Sequence, residues 1–401
     1  ASTIEKARHL ARQEAKKFGL KPFNFDLELV RATILDLGNN EFWFVFVAHH
    51  LIFDKQSAEI LLQEILSKYG SRLISSKKHF SEDVNTFANY IILQQNKATA
   101  NTTVDYWKKQ FSLIPEPISW PFDYAENQAE QFAGGQINLR VPEGFQRKLT
   151  QIAKEQGTSL FVVLLTLYES FLAIYLDTTD ICVGIPVTNR TDERWQNTIG
   201  FFDNTLALRS DIDLNKGLNA VLKKNKNTVA DALEHSDMPF QELVRLVSPN
   251  RSFSNPLFQT MLVYHESTLD KQNKNQLAIN EHRIDLGVSK FDLTLYCQKN
   301  ENVLELVFEA ADRIFNEQKK RELKHAFETF LENSLEFWEW TLASHSLLTK
   351  TYKRQLLEDW GSGTSTSEVA NSIPQLFSKQ VQNNKQNCAI SDGIRDLTYE
   401  Q

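Results

Sequence analysis

Residues 42–54 organise the interpretation of the whole sequence and read Phe42-Trp43-Phe44-Val45-Phe46-Val47-Ala48-His49-His50-Leu51-Ile52-Phe53-Asp54. The segment follows a turn signal, Gly-Asn-Asn at 38–40. Because its aromatic and β-branched residues lack the polar positions of a helical period, they predict a buried strand that ends in two histidines. From Asp54 to Tyr69 the apolar residues recur at helical spacing, which predicts an amphipathic helix with Asp54 at its N-cap.

The two histidines have a catalytic and a structural interpretation. An imidazole held at a strand end titrates near neutral pH, so it can accept or orient a proton, and the carboxylate of Asp54 follows one turn later. The same residues also fit histidines that bond backbone carbonyls and an aspartate that only caps a helix. This segment alone leaves both interpretations open.

The rest of the chain alternates between helical and strand patterns. Strands are predicted at 25–36, which should form a hairpin with 42–50, and at 137–141, 180–187, 260–264, 290–296 and 304–309, the last two as a meander. Helices are predicted at 1–20, 54–69, 87–95, 104–111, 142–156, 159–176, 214–233 and 316–337.

Proline and glycine divide the chain. Pro115, Pro117 and Pro121 lie too close together for regular structure, so they predict a crossover between two parts. Residues 361–367 have the composition of a linker. The predicted division is therefore 1–120, 121–346 and 347–401.

Composition excludes several classes of protein. With 41% hydrophobic residues, 14 glycines and 10 prolines in 401 residues, most of the chain should fold around hydrophobic cores. A net charge of −7 argues against nucleic-acid binding as the main activity. Cys182, Cys297 and Cys388 are far apart and odd in number, so they predict neither a disulfide framework nor a zinc site. Without an apolar run of membrane length, we expect a cytoplasmic protein that contacts no membrane.

Six ordered motifs resemble those of the condensation domains of non-ribosomal peptide synthetases. They are His49-His50-Leu51-Ile52-Phe53-Asp54, Gly184-Ile185-Pro186-Val187-Thr188-Asn189-Arg190, Ile199-Gly200-Phe201-Phe202-Asp203-Asn204-Thr205-Leu206, Met238-Pro239-Phe240-Gln241-Glu242-Leu243-Val244, Asn255-Pro256-Leu257-Phe258-Gln259 and Lys290-Phe291-Asp292-Leu293-Thr294. The tail from Leu347 resembles the linker and first strands of the adenylation domain that usually follows. The resemblance therefore covers almost the whole chain.

The resemblance implies an α/β (α+β) fold. Two lobes similar to chloramphenicol acetyltransferase would form a V-shaped pseudo-dimer, with the first lobe truncated at its N-terminus and the His motif on the floor of a tunnel between them. Upstream and downstream peptidyl carrier proteins would be the partners, together with an adenylation domain in the same polypeptide. Their phosphopantetheine arms would bring the substrates, and the domain itself would bind no cofactor.

The resemblance also implies a role for each candidate residue. His50 would accept or orient the amine proton, and Asp54 would be a structural anchor that pairs with Arg190. His49 is interpreted as structural. Asn204 and Ser289 would contact substrate in the tunnel, as would Lys55, which stands where the family has glycine. No metal site is expected.

Several alternatives exist within and beyond this superfamily. Heterocyclisation domains carry an aspartate-rich first motif, so His49-His50 excludes them. Epimerisation domains keep the histidines but are normally followed by another condensation domain. The tail of this chain instead resembles the start of an adenylation domain, so condensation is favoured. A catalytically silent domain that docks carrier proteins stays open because of Lys55 and because the chain begins about a hundred residues late for a complete first lobe. An acyltransferase that uses a free amine is also open.

Overall fold

The structure is a computed structural model that describes residues 3–74, 85–95, 99–121, 130–247, 257–266, 284–300, 303–361, 372–393 and 395–401. Two compact units are distinguished, Ala1–Leu347 and Leu348–Gln401. The predicted division at residue 120, inside the first unit, stays a prediction.

The first unit contains nine α-helices among its described residues. They are α1 (Thr3–Leu20), α2 (Lys55–Ile74), α3 (Phe87–Gln95), α4 (Asn101–Gln110), α5 (Phe145–Glu155), α6 (Leu160–Leu176), α7 (Leu218–Glu234), α8 (Phe240–Val247) and α9 (Glu317–Glu336). Its strands are β1 (Val30–Gly38), β2 (Glu41–Ala48), β3 (Gly134–Leu139), β4 (Asp180–Thr188), β5 (Asp203–Asp211), β6 (Thr260–Glu266), β7 (Leu293–Lys299) and β8 (Leu304–Ala311).

Strands β1 and β2 form the predicted antiparallel hairpin. Gly38, Asn39 and Asn40 all have positive φ, the backbone conformation that such a tight turn requires. Helix α1 packs against the hairpin, where Arg8 pairs with Glu41 at 2.8 Å. Within the described residues, β1 is the only strand that pairs with β2.

Strand β2 ends two residues earlier than the sequence predicted. It stops at Ala48, and His49 and His50 lie in the turn that follows. The His49 N–H still donates to Leu29 O at 2.8 Å, but the Ile52 N–H donates back to His49 O and closes the turn. The two histidines are therefore presented by a loop rather than by opposite faces of a strand.

The other six strands form one mixed sheet in the order β3-β8-β7-β6-β4-β5. Strand β6 is parallel to both of its neighbours, and the remaining pairs are antiparallel. Helices α6, α7 and α9 contact one face of this sheet, through Tyr168 on Thr260, Asn225 near Ser210 and Phe327 on Phe308. The hydrophobic core lies between this face and the helices.

The second unit contains short elements only. They are α10 (Lys350–Arg354), a π-helical turn (Gln355–Trp360), α11 (Ile373–Asn383) and the antiparallel strands β9 (Cys388–Ser391) and β10 (Asp396–Thr398). No described side chain of this unit is fully buried.

Membrane-spanning length was tested for every described helix. No single one of them is both long and apolar enough; α5 and α6 reach the limit only as a pair, which is bent by 108° at its break.

Candidate active site

The ring of His50 is held in one orientation by its own loop. Its Nδ1 atom lies 2.7 Å from Phe53 O. Because a carbonyl oxygen can only accept, Nδ1 must carry the proton, and Nε2 of the neutral ring keeps its lone pair. The side chain is exposed and packs edge-on against Phe201, with 5.0 Å between ring centroids. His50 is therefore oriented to accept a proton at Nε2.

Asp54 is fully occupied by hydrogen bonds inside the protein. Its Oδ1 accepts from the Ser57 N–H at 2.7 Å and from Arg190 Nη2 at 3.0 Å, and its Oδ2 accepts from the Phe202 N–H and from Arg190 Nη2, both at 3.0 Å. The Asp54 and Arg190 side chains are wholly buried. This carboxylate accepts four hydrogen bonds from three donor groups and is inaccessible to solvent, so it is not placed to take a proton from a substrate. Its role as a structural anchor stays a prediction.

The guanidinium of Arg190 connects several loops. Its Nη1 donates to Trp195 O at 2.6 Å and to Thr198 O, and its Nη2 also donates to Ser57 Oγ at 3.0 Å. The charged group lies 3.9 Å from the centroid of the Phe202 ring, within the range of a cation–π interaction. The loop between β4 and β5 is thus folded around one buried charge.

Ser57 completes a buried junction, which consists of Asp54, Ser57, Arg190, Gly200 and Phe202. Its hydroxyl donates to Gly200 O at 2.8 Å and accepts from the Gly200 N–H at 2.9 Å, while the Asp54 N–H donates to Gly200 O at 3.2 Å. The sequence analysis did not single out Ser57. The available signal was its position three residues after the N-cap, where a small polar residue faces the same side of the helix as the cap.

The remaining predicted site residues are placed as follows. His49 packs its ring against Phe23 and Phe25, and its Nδ1 accepts from the Leu51 N–H at 3.2 Å. Lys55 is half-buried and is the first residue of α2. Its predicted place in a substrate tunnel stays a prediction.

Asn204 and Ser289 use their polar atoms within the fold. The Asn204 amide donates to Ser236 O at 3.0 Å and to Met238 O at 2.8 Å, and its oxygen accepts from the Phe240 N–H. The Ser289 hydroxyl donates to Phe291 O at 2.7 Å, and the residue is 3% exposed. Contact of either side chain with a substrate stays a prediction.

Asp203 is a further titratable residue at this site that the sequence analysis did not select. It is half-buried, and burial together with the charge of Asp54 raises the pKa of its carboxyl group to about 7, although Arg190 opposes the shift. No described residue donates a hydrogen bond to this carboxyl group. The sequence offered one signal, an acidic residue that directly follows Phe201 and Phe202 at the start of a strand.

Comparison with protein families identifies the chain. Residues 2–357 match the family model described as "Condensation domain". The chain belongs to the condensation domain family. The predicted family is therefore confirmed, whereas the resemblance of the tail to an adenylation domain stays a prediction.

Curated relatives match the condensation domain over nearly its full length. Bacitracin synthase 1 of Bacillus licheniformis is 28% identical over 393 residues, covering 98% of this chain and 7% of that protein. Tyrocidine synthase 3 of Brevibacillus parabrevis is 26% identical over 384 residues, covering 95% of this chain and 6% of that protein. The chain thus spans a small part of the synthases that it matches.

Solved structures confirm the mixed helix-and-sheet fold. A four-domain non-ribosomal peptide synthetase, holo-AB3403, superposes with a TM-score of 0.75 at 22% identity, covering 97% of this chain and 31% of that one. The first condensation domain of the calcium-dependent antibiotic synthetase gives 0.71 at 18% identity, covering 86% and 78%. At such identities the likeness concerns the fold alone; the V-shaped arrangement and the truncation stay predictions.

Proposed function

We propose that this condensation domain forms peptide bonds between substrates carried on two carrier proteins. Membership of the condensation domain family supports a general role in forming peptide bonds during non-ribosomal peptide synthesis. The observation that supports activity in this member is His50, whose Nδ1 is held by Phe53 O and whose Nε2 therefore keeps its lone pair on an exposed ring. In our proposal the upstream carrier holds an acyl or peptidyl thioester and the downstream carrier an aminoacyl thioester.

The reaction requires one proton transfer and two aligned substrates. The amine nitrogen of the downstream substrate attacks the thioester carbonyl, and His50 Nε2 accepts a proton from that nitrogen. The carbon–sulfur bond then breaks, and the imidazolium returns the proton to the departing thiolate. An amide and a free phosphopantetheine thiol result, so the proton is conserved.

Asp54 and Arg190 contribute by positioning. Phe53, whose carbonyl orients His50, directly precedes Asp54, and Phe201, whose ring contacts His50, directly precedes Phe202. The buried pair thus anchors both neighbours of the imidazole.

Substrates in this proposal arrive on phosphopantetheine, and the domain itself binds no cofactor. An adenylation domain in the same polypeptide is proposed from the tail's resemblance. We also propose a reducing, cytoplasmic compartment, because all three cysteines are free thiols.

The test uses the intact module that contains this chain, with both carrier proteins loaded. We expect His50→Ala to lower transfer to the downstream carrier by about 10²–10⁴-fold, the usual contribution of a general acid–base group. Mass spectrometry of the downstream carrier measures the product. His9→Ala is the matched control, since His9 is an exposed histidine on α1. Undiminished transfer in His50→Ala would refute the proposed function.

A further inference from the structure

The direction of the Asp203 side chain follows from strand alternation. Asp203 begins β5 opposite Thr188, and its neighbour Asn204 lies opposite Val187. The Asn204 amide reaches the α7–α8 connection, on the face of the sheet that carries the helices. Because successive strand residues point to opposite faces, the Asp203 carboxyl group points to the face opposite the one that α6, α7 and α9 contact.

His50 lies near the start of this strand. The Asn189 N–H donates to Phe202 O at 2.9 Å, so the pairing with β4 continues one residue before β5, and Phe201 directly precedes that residue. The ring of Phe201 contacts His50. Phe201 and Asp203 are two residues apart, which is roughly 7 Å along extended backbone, so Asp203 lies near the contact between Phe201 and His50.

The two acidic residues near this contact differ in their partners. Asp54 accepts four hydrogen bonds and is paired with Arg190. Asp203 accepts none from the described residues, although it is half-buried. A half-buried carboxylate that accepts no hydrogen bond from the protein is less well solvated than a fully exposed one, and a cationic ligand would supply the missing donor.

We propose that Asp203 binds the α-ammonium group of the acceptor substrate and thereby positions its nitrogen beside His50 Nε2. The proposal rests on the proposed function and deepens it by naming a specificity-determining residue for the amine. An ammonium group has three donors, so it can bond Asp203 and His50 at once. Before the reaction the bound ammonium group releases one proton to the solvent. The neutral amine, still oriented by Asp203, then attacks the thioester, and His50 Nε2 accepts the second proton as in the proposed function.

The test is a binding comparison on the chain of 401 residues. The two probes are glycyl-pantetheine and acetyl-pantetheine, each with an amide in place of the thioester, so that they differ only in the amine. Isothermal titration calorimetry near pH 7.5 measures both dissociation constants. We expect the wild type to prefer the glycyl probe by about 10-fold, a typical effect of one charge-assisted contact.

Variants assign that preference to one residue. Asp203→Asn should reduce it to less than about 2-fold, and Asp203→Glu should restore part of it. Asp211→Asn is the matched control, because Asp211 ends the same strand and is exposed. A thermal melt of each variant identifies loss of fold, and the Asp203→Glu result keeps the test decisive if Asp203→Asn is unstable.

The outcomes separate this inference from the proposed function. A wild type that does not prefer the glycyl probe, or an Asp203→Asn variant that keeps the preference, overturns the inference even if transfer depends on His50. Transfer that is independent of His50, alongside a preference that depends on Asp203, overturns the proposed mechanism alone. In the module, Asp203→Asn should raise the KM of the acceptor carrier and leave that of the donor unchanged; an unchanged acceptor KM contradicts the inference.

Discussion

A buried carboxyl group on α6 should make the stability of the first unit depend on pH. Glu169 is inaccessible to solvent; its Oε2 accepts from Asn225 Nδ2 at 2.7 Å, and its Oε1 lies 3.2 Å from Ser210 Oγ. Ser210 Oγ also lies 3.1 Å from Asn225 Oδ1. A hydroxyl has one proton and cannot donate to both oxygens, whereas a protonated Glu169 can donate to Ser210, which then donates to Asn225. The network is complete only when Glu169 is neutral.

The magnitude follows from the pKa of this group. Burial raises the pKa of Glu169 from 4.5 to about 8, although hydrogen bonds from Asn225 and Ser210 oppose the shift. Between these values the folded state holds a proton that the unfolded state releases, so the free energy of unfolding falls as pH rises through this window. The stabilisation is complete below about pH 4.5 and is lost above about pH 8. The free energy of unfolding differs by about 5 kcal/mol between these two limits.

Glu169→Gln isolates this effect, because the amide reproduces the neutral acid and does not titrate. Near pH 5 the two proteins should differ by no more than about 1–2 kcal/mol. By pH 8 the variant should be more stable by several kcal/mol. Urea unfolding at pH 5, 6.5 and 8, followed by tryptophan fluorescence, measures the free energy of unfolding of both proteins. Titrating groups that the two proteins share cancel when one value is subtracted from the other. A difference that stays constant across these pH values would refute the reasoning.

Two further substitutions test the packing around the site. Arg190→Met should lower the free energy of unfolding by about 3–5 kcal/mol, because it leaves the buried Asp54 carboxylate without its ion pair; a loss below about 1 kcal/mol in urea unfolding would contradict this. Gly184→Ala should cost about 1–3 kcal/mol, since a Cβ there would overlap the ring of buried Phe258. In Gly135→Ala, its strand control, the new Cβ meets only Lys320 Nζ, at 3.4 Å, so an equal loss in both variants would argue against the packing explanation.

Local chemistry was predictable from the sequence where neighbours in the chain determine it. The N-cap role of Asp54 was derived from its place before a helical pattern, and the Ser57 N–H does donate to it. The pairing of Asp54 with Arg190, 136 residues away, came only from the family resemblance. The helix and strand periods in the sequence relate residues only a few positions apart, so they do not predict a pair this far apart.

Features that depend on contacts between distant segments were not predictable. The order of the six-stranded sheet places β8 between β3 and β7, and no local pattern specifies which strands are neighbours. Phe201 and Asp203 were interpreted only as parts of a motif, and their relation to His50 appears only when β5 pairs with β4. Likewise, the protonated nitrogen of His50 is determined by the Phe53 carbonyl, whose direction depends on the turn after β2.

The buried junction changes how activity data on this site should be interpreted. His50 has one hydrogen bond and one ring contact that orient it, to Phe53 and Phe201. Phe53 directly precedes Asp54, and Phe201 directly precedes Phe202; both Asp54 and Phe202 belong to the buried junction. Removing Asp54 would therefore displace both supports of the imidazole, and activity would fall although Asp54 never meets the substrate. Since its four lone pairs are already occupied, loss of transfer in an Asp54 variant identifies a positioning residue, whereas the same loss in a His50 variant with an intact junction identifies the group that handles the proton.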